Sequence, residues 1–190
     1  MRHPQPNIAD ARWPADPDRV AIVLPGGGYT PARPLLHLAR NVLFGHGWTV
    51  QELWWAPPTT DEDERAAWAL AQATAAVEAE SARRVLLVGK SLGTFAAPLA
   101  ATRDLPAIWF TPLLFRADVV DALAAASAPT LLLGGGGDWS WDPRLADDLG
   151  LPYLELPGAD HGLEHPDDPV RTAENLVRVT RRVNEFAAAL

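Results

Sequence analysis

Three residues of the chain are of the types that together activate a hydroxyl group, and each follows an apolar run. Ser91 lies in Gly89-Lys90-Ser91-Leu92-Gly93, directly after Val85–Val88. Asp138 ends Gly134-Gly135-Gly136-Gly137-Asp138, after Thr130–Leu133. His161 lies in Pro157-Gly158-Ala159-Asp160-His161-Gly162, after Tyr153–Leu156. A serine hydroxyl is a poor nucleophile near neutral pH and needs a base within hydrogen-bond reach. An imidazole base needs a carboxylate to fix its tautomer and to stabilise its charged form. The chemistry such a set performs is acyl transfer. Each residue also has an ordinary use, since Ser caps helices and Gly-Asp makes turns. Their joint placement after three separate strands favours chemistry.

Rival motifs fit less well. Gly89-Lys90-Ser91 resembles the end of a phosphate-binding loop, but that motif needs a glycine where this chain has Arg84. His161-Gly162-Leu163-Glu164-His165 reads as the zinc-peptidase pattern H-x-x-E-H, which needs a regular helix. Gly162 weakens such a helix, and Pro166 pushes His165 away from helical geometry. Asp142 is an alternative acid, though its place before a short helix suits a cap. Asp160 is too near His161 in sequence to orient it easily.

The elements that must hold these residues alternate along the chain. Apolar, β-branched runs at Val20–Leu24, Trp48–Leu53, Val85–Val88, Ala107–Phe110, Thr130–Leu133 and Tyr153–Leu156 read as strands buried on both faces. Between or after them, Pro34–His46, Asp61–Ser81, Leu92–Thr102, Ala117–Ala126 and Asp168–Ala188 read as helices. This alternation predicts an α/β protein, a three-layer sandwich with a mostly or wholly parallel sheet of about six strands. Residues 1–190 read as a single domain, without internal repeats. In such sheets ligands bind at the carboxyl ends of the strands, where Ser91, Asp138 and His161 all fall. A sharp strand-to-helix turn forces Ser91 into a strained conformation above the sheet. The helix that follows turns the Leu92 N–H toward the same spot, where it can stabilise an oxyanion.

Strand, G-x-S-x-G and helix, then Asp138 and His161 on later loops, resemble the α/β-hydrolase superfamily, esterases and dienelactone hydrolases among them. The resemblance runs from Val20 to the closing helix. It implies a serine hydrolase with Ser91 as nucleophile, Asp138 as acid and His161 as base, cleaving a carboxylic ester or thioester. Leu24-Pro25-Gly26-Gly27-Gly28-Tyr29 resembles the family's oxyanion loop, with Pro25 where histidine is frequent. Gly27 is the first choice for the second N–H donor, with Gly28 and Tyr29 close behind. The family's two antiparallel leading strands are expected to be absent. Between Pro112 and Pro129, where many relatives insert a cap domain, there is room for little more than one helix. A minimal, lidless core is therefore expected, with an exposed groove suited to soluble or bulky esters.

The chain has 8 tryptophans. Trp54, Trp55, Trp109, Trp139 and Trp141 follow strands or flank Asp138. With Tyr29 they are candidates for an aromatic wall around the substrate, against the plainer reading that they pack helices on the sheet.

The formal charge of −8 argues against a nucleic-acid partner. With 0 cysteines there is no disulfide framework and no thiol nucleophile. No apolar stretch is long enough for a membrane span, and Met1 to Pro17 lacks a secretory apolar region, so the expected location is cytoplasmic. A small ester-like molecule is the expected partner, with no cofactor or metal required. A non-catalytic binding protein on the same scaffold is the reading from another class, and an acyltransferase would use the same three residues. The natural substrate and the oligomeric state are not read from the sequence.

Overall fold

The computed structural model describes residues 11–190. The first ten residues of the leading segment read above for a targeting signal therefore lie outside the described residues. Seven strands form one sheet: β1 (Arg12–Trp13), β2 (Asp16–Leu24), β3 (Trp48–Glu52), β4 (Arg84–Lys90), β5 (Ala107–Phe110), β6 (Thr130–Gly135) and β7 (Tyr153–Leu156). Their order is β1-β3-β2-β4-β5-β6-β7, and every pair from β3 to β7 is parallel. Only β1 is antiparallel, pairing Arg12 with Gln51 and Trp13 with Val50. Two antiparallel leading strands were expected to be absent, and this one short edge pair corrects that expectation in part. Two residues carry no periodicity, so the sequence gives no sign of it.

Alternation along the strands builds a core on each face of the sheet. Ala21, Val23, Val88, Ile108 and Phe110 pack beneath α1 (Pro34–Gly45) and α6 (Pro169–Ala188). On the opposite face, Ile22, Leu24, Leu87, Trp109 and Leu132 meet α2 (Glu62–Glu78), α3 (Ala97–Arg103), α4 (Ala117–Ala124) and α5 (Pro143–Leu149). Strands covered on both sides must be apolar throughout, which is why β2 is fully buried from Val20 to Leu24. Small residues Ala66, Ala69 and Ala73 form the inward face of α2 and let it lie close to the sheet. Asp61, Asp142 and Asp168 cap α2, α5 and α6 by accepting backbone N–H bonds.

One expected helix is divided. In place of a continuous helix over Leu92–Thr102, a 3-10 turn spans Ser91–Ala96 and leads into α3. A Cβ at Gly93 would collide with the Leu24 carbonyl oxygen, so glycine lets this turn lie close against β2. Thr94 also donates its hydroxyl to Ser91 O at 2.7 Å, closing the turn on itself. Between β5 and β6 the chain holds α4 and short loops, so among the described residues no cap domain is inserted there.

Candidate active site

The strand β4 ends at Lys90, and the backbone reverses at once. Ser91 has φ of 50°, in the left-handed region that non-glycine residues avoid. Such a conformation costs on the order of 1–3 kcal/mol and persists only where surrounding packing fixes it. Here Gly89 lies so close to the Trp109 ring that a Cβ would approach it at 2.5 Å, and Gly93 is held against β2. The turn therefore lifts the serine above the sheet edge.

His161 meets it from the loop after β7. Its Nε2 is 2.8 Å from Ser91 Oγ, and its Nδ1 is 2.9 Å from each carboxylate oxygen of Asp138. The Asp138 side chain is fully buried while that of His161 is 29% exposed, so the imidazole bridges the interior and the groove. Burial works against ionisation of Asp138, but hydrogen bonds from His161 and Ser140 hold its carboxyl below the usual range. Ser140 donates both its backbone N–H and its hydroxyl to Asp138, each at 2.9 Å. Its hydroxyl is also 3.2 Å from His161 Nδ1.

The His161 loop is shaped by two residues not assigned a role in sequence. Asp160 accepts from Gly162 N at 2.7 Å and Glu164 N at 3.0 Å, so its carboxylate serves the loop's own backbone. Lys90, only 2% exposed, donates to His161 O at 2.9 Å and to Thr111 Oγ1 at 3.0 Å. Burial pushes the Lys90 ammonium down to about 8, with Asp138 and Asp160 pulling the other way. A lysine at the variable position of G-x-S-x-G reads as solvent-facing. Only the fold shows that it turns inward and ties the His161 loop to the end of β5. Ser140 was equally hidden, because its value depends on where Asp138 points.

Of the alternatives, Asp142 accepts from Arg144 N at 2.9 Å as the cap of α5. The stretch 161–165 is irregular rather than helical. His161 faces Ser91, and the His165 N–H bonds Thr172 Oγ1 at 2.8 Å.

The structure separates the aromatic candidates. Trp139 is 70% exposed, stacks on the His161 ring at 5.6 Å and lies 5.1 Å from Phe115. Tyr29 is buried, with its hydroxyl accepting from Leu35 N at 3.0 Å, and it lines a cavity with Gly27, Gly28 and Ser91. Trp109 is corrected to a core residue, since its ring packs under Gly89 with 1% exposed. Trp55 packs on Trp68 at 5.3 Å, and Trp54 donates to Glu52 at 3.2 Å. Neither lines the cavities that contain Ser91. Trp141 is buried and donates to Glu155 at 2.9 Å. A strand near its carboxyl end also has an inward face, and at Trp109 the ring fills it.

Two cavities flank Ser91. One, of about 290 Å³, is bounded by Leu92, Phe95, Leu113, Phe115, Trp139 and Arg65 among others. The other, of about 320 Å³, is walled by the glycine loop and the His161 loop.

This arrangement has counterparts among solved structures. A lidless α/β serine hydrolase, XC6422 from Xanthomonas campestris, matches with a TM-score of 0.62 at 19% identity, covering 93% of this chain and 83% of its own. The fold is that of the α/β hydrolases. Est1E from Butyrivibrio proteoclasticus, solved with bound ferulic acid, has a TM-score of 0.66 at 14% identity, covering 90% of this chain and 88% of its own. A monoacylglycerol lipase from Paleococcus ferrophilus has a TM-score of 0.68 at 17% identity, covering 93% and 98%. At these identities the likeness to the α/β hydrolases is one of fold. No protein-family model matches the sequence, and no curated protein does. Among the described residues, no helix of this α/β-hydrolase fold is long and apolar enough to cross a membrane.

Proposed function

We propose that the protein is a serine hydrolase that cleaves a carboxylic ester or thioester through an acyl-enzyme intermediate. The observation that carries this reading is the continuous hydrogen-bonded line from Ser91 Oγ through the His161 ring to the buried Asp138 carboxylate, with steps of 2.8 and 2.9 Å. A buried, ionised carboxylate facing Nδ1 keeps the proton there, which leaves Nε2 free to take the serine proton. Attack on the carbonyl then forms a tetrahedral adduct, and His161 returns the proton to the leaving group. Water repeats the sequence to release the acid.

The oxyanion needs N–H donors at the turn. Leu92 N lies at the start of the 3-10 turn. In the glycine loop, Gly26 N already bonds Tyr29 O at 3.0 Å, which favours Gly27 and Gly28 as the second source. Trp139 and Phe115 offer an apolar wall beside the imidazole for one arm of the substrate. The absence of a cap leaves the groove open to esters delivered from solution.

Hydrolysis of 4-nitrophenyl acetate and of a matched thioester tests the reading. The wild-type protein should turn over at least one of them, and Ser91→Ala and His161→Ala should each lose at least about a thousandfold in kcat/KM. Equal residual rates in wild type and Ser91→Ala would refute it.

A further inference from the structure

The hydrolase reading gives no role to Arg65, a cation beside Ser91. Arg65, in the first turns of α2, extends across to the glycine loop, where a Cβ on Gly27 would collide with its Nη2. It lines the same cavity as Ser91 and Leu92. Its Nε is buried without a hydrogen-bond partner among the described residues. The neighbouring Arg116 is different, for it is paired with Asp63 at 2.8 Å and Asp118 at 3.1 Å. Arg65 is half-buried, and a buried guanidinium N–H without an acceptor is costly unless a ligand supplies one.

We infer that Arg65 forms an anion subsite beside Ser91 and that the preferred substrate is an ester bearing a carboxylate, an inference that rests on the hydrolase reading. The planar fork of arginine matches the two oxygens of a carboxylate. Glu62 also borders the cavity. Its negative charge disfavours a dianion such as a phosphate monoester, whereas a single carboxylate is neutralised one to one by Arg65. Phe95, Leu113 and Trp139 form apolar walls suited to a short hydrocarbon chain joining the carboxylate to the ester carbonyl.

Two chromogenic esters of equal chain length test this: 4-nitrophenyl hexanoate, and the mono-4-nitrophenyl ester of adipic acid, whose far end is a carboxylate. The ratio of kcat/KM, charged over neutral, should exceed one in the wild type. It should fall about 10- to 100-fold in Arg65→Gln and by less in Arg65→Lys, which keeps the charge and loses the fork. Binding of monomethyl adipate to Ser91→Ala, followed by calorimetry, gives a second readout that needs no turnover. Its Kd should rise at least tenfold when Arg65→Gln is added. An unchanged ratio, with both esters slowed alike, overturns the subsite and assigns Arg65 to the oxyanion or to packing. Absence of measurable binding to Ser91→Ala overturns it as well. Arg65-dependent binding without Ser91-dependent turnover sustains the subsite and defeats the hydrolase reading instead.

Discussion

Lys90 shows how a single buried residue links the chemistry of the site to stability. Its ammonium lies inside the protein, bonded to Thr111 and to the His161 carbonyl, and is pushed down to about 8. The unfolded chain holds that proton up to the ordinary lysine value of 10.5. Between those limits the unfolded state binds more protons, so stability rises with pH across the window and the gain is absent below it. Urea unfolding of wild type and Lys90→Met should therefore show a difference in stability that grows in favour of wild type from pH 7 to pH 10.5, by roughly 2–4 kcal/mol. A pH-independent difference would contradict the burial assigned to this amine. Ser140 lies on the other side of the His161 ring and acts through Asp138. Ser140→Ala removes one donor to that carboxylate and should lower kcat by about tenfold with little change in KM. Restoration by Ser140→Thr would mark the hydroxyl itself as the cause. Ser91, Asp138 and His161 were legible in sequence because each follows a strand on the turn or loop beyond it. Lys90, Ser140 and Arg65 were not, since a side chain's direction across a turn is settled only by tertiary packing.

At the scale of elements, the turn between β4 and α3 is where backbone and chemistry are coupled. Gly93 is required because its Cα rests against the Leu24 carbonyl, whereas Gly28 has open space around it. Gly93→Ala should destabilise the protein by about 3 kcal/mol or more, since backbone atoms cannot shift as a side chain can. Gly28→Ala should stay within about 0.5 kcal/mol. The midpoints of urea denaturation would separate the two. Six strands were visible as apolar runs because both faces of the sheet are covered, which leaves a continuous signal. The ends were less visible. β2 begins at Asp16, through polar residues that pair beyond the core, and β1 is too short to carry a pattern. The 3-10 turn was hidden for another reason, because helix propensity does not distinguish a 3-10 turn from the first turn of an α-helix.

The whole molecule places its groove along the carboxyl edge of an otherwise covered sheet, with one short helix where a cap would stand. The described residues include no cap between β5 and β6, so no lid is expected to open at an interface. Turnover of a sparingly soluble ester should accordingly rise smoothly with concentration through the onset of micelles, and an abrupt increase there would argue for a moving cover. Several parts of the fold meet in the one claim that Ser91 is activated: the strained turn, the base loop held by Lys90, and the acid held by Ser140. The most direct test is the intact mass of the folded protein after treatment with a serine-directed fluorophosphonate. The account predicts a single adduct on wild type, absent from Ser91→Ala and from His161→Ala. An unmodified wild-type protein, or an adduct that survives Ser91→Ala, would contradict it.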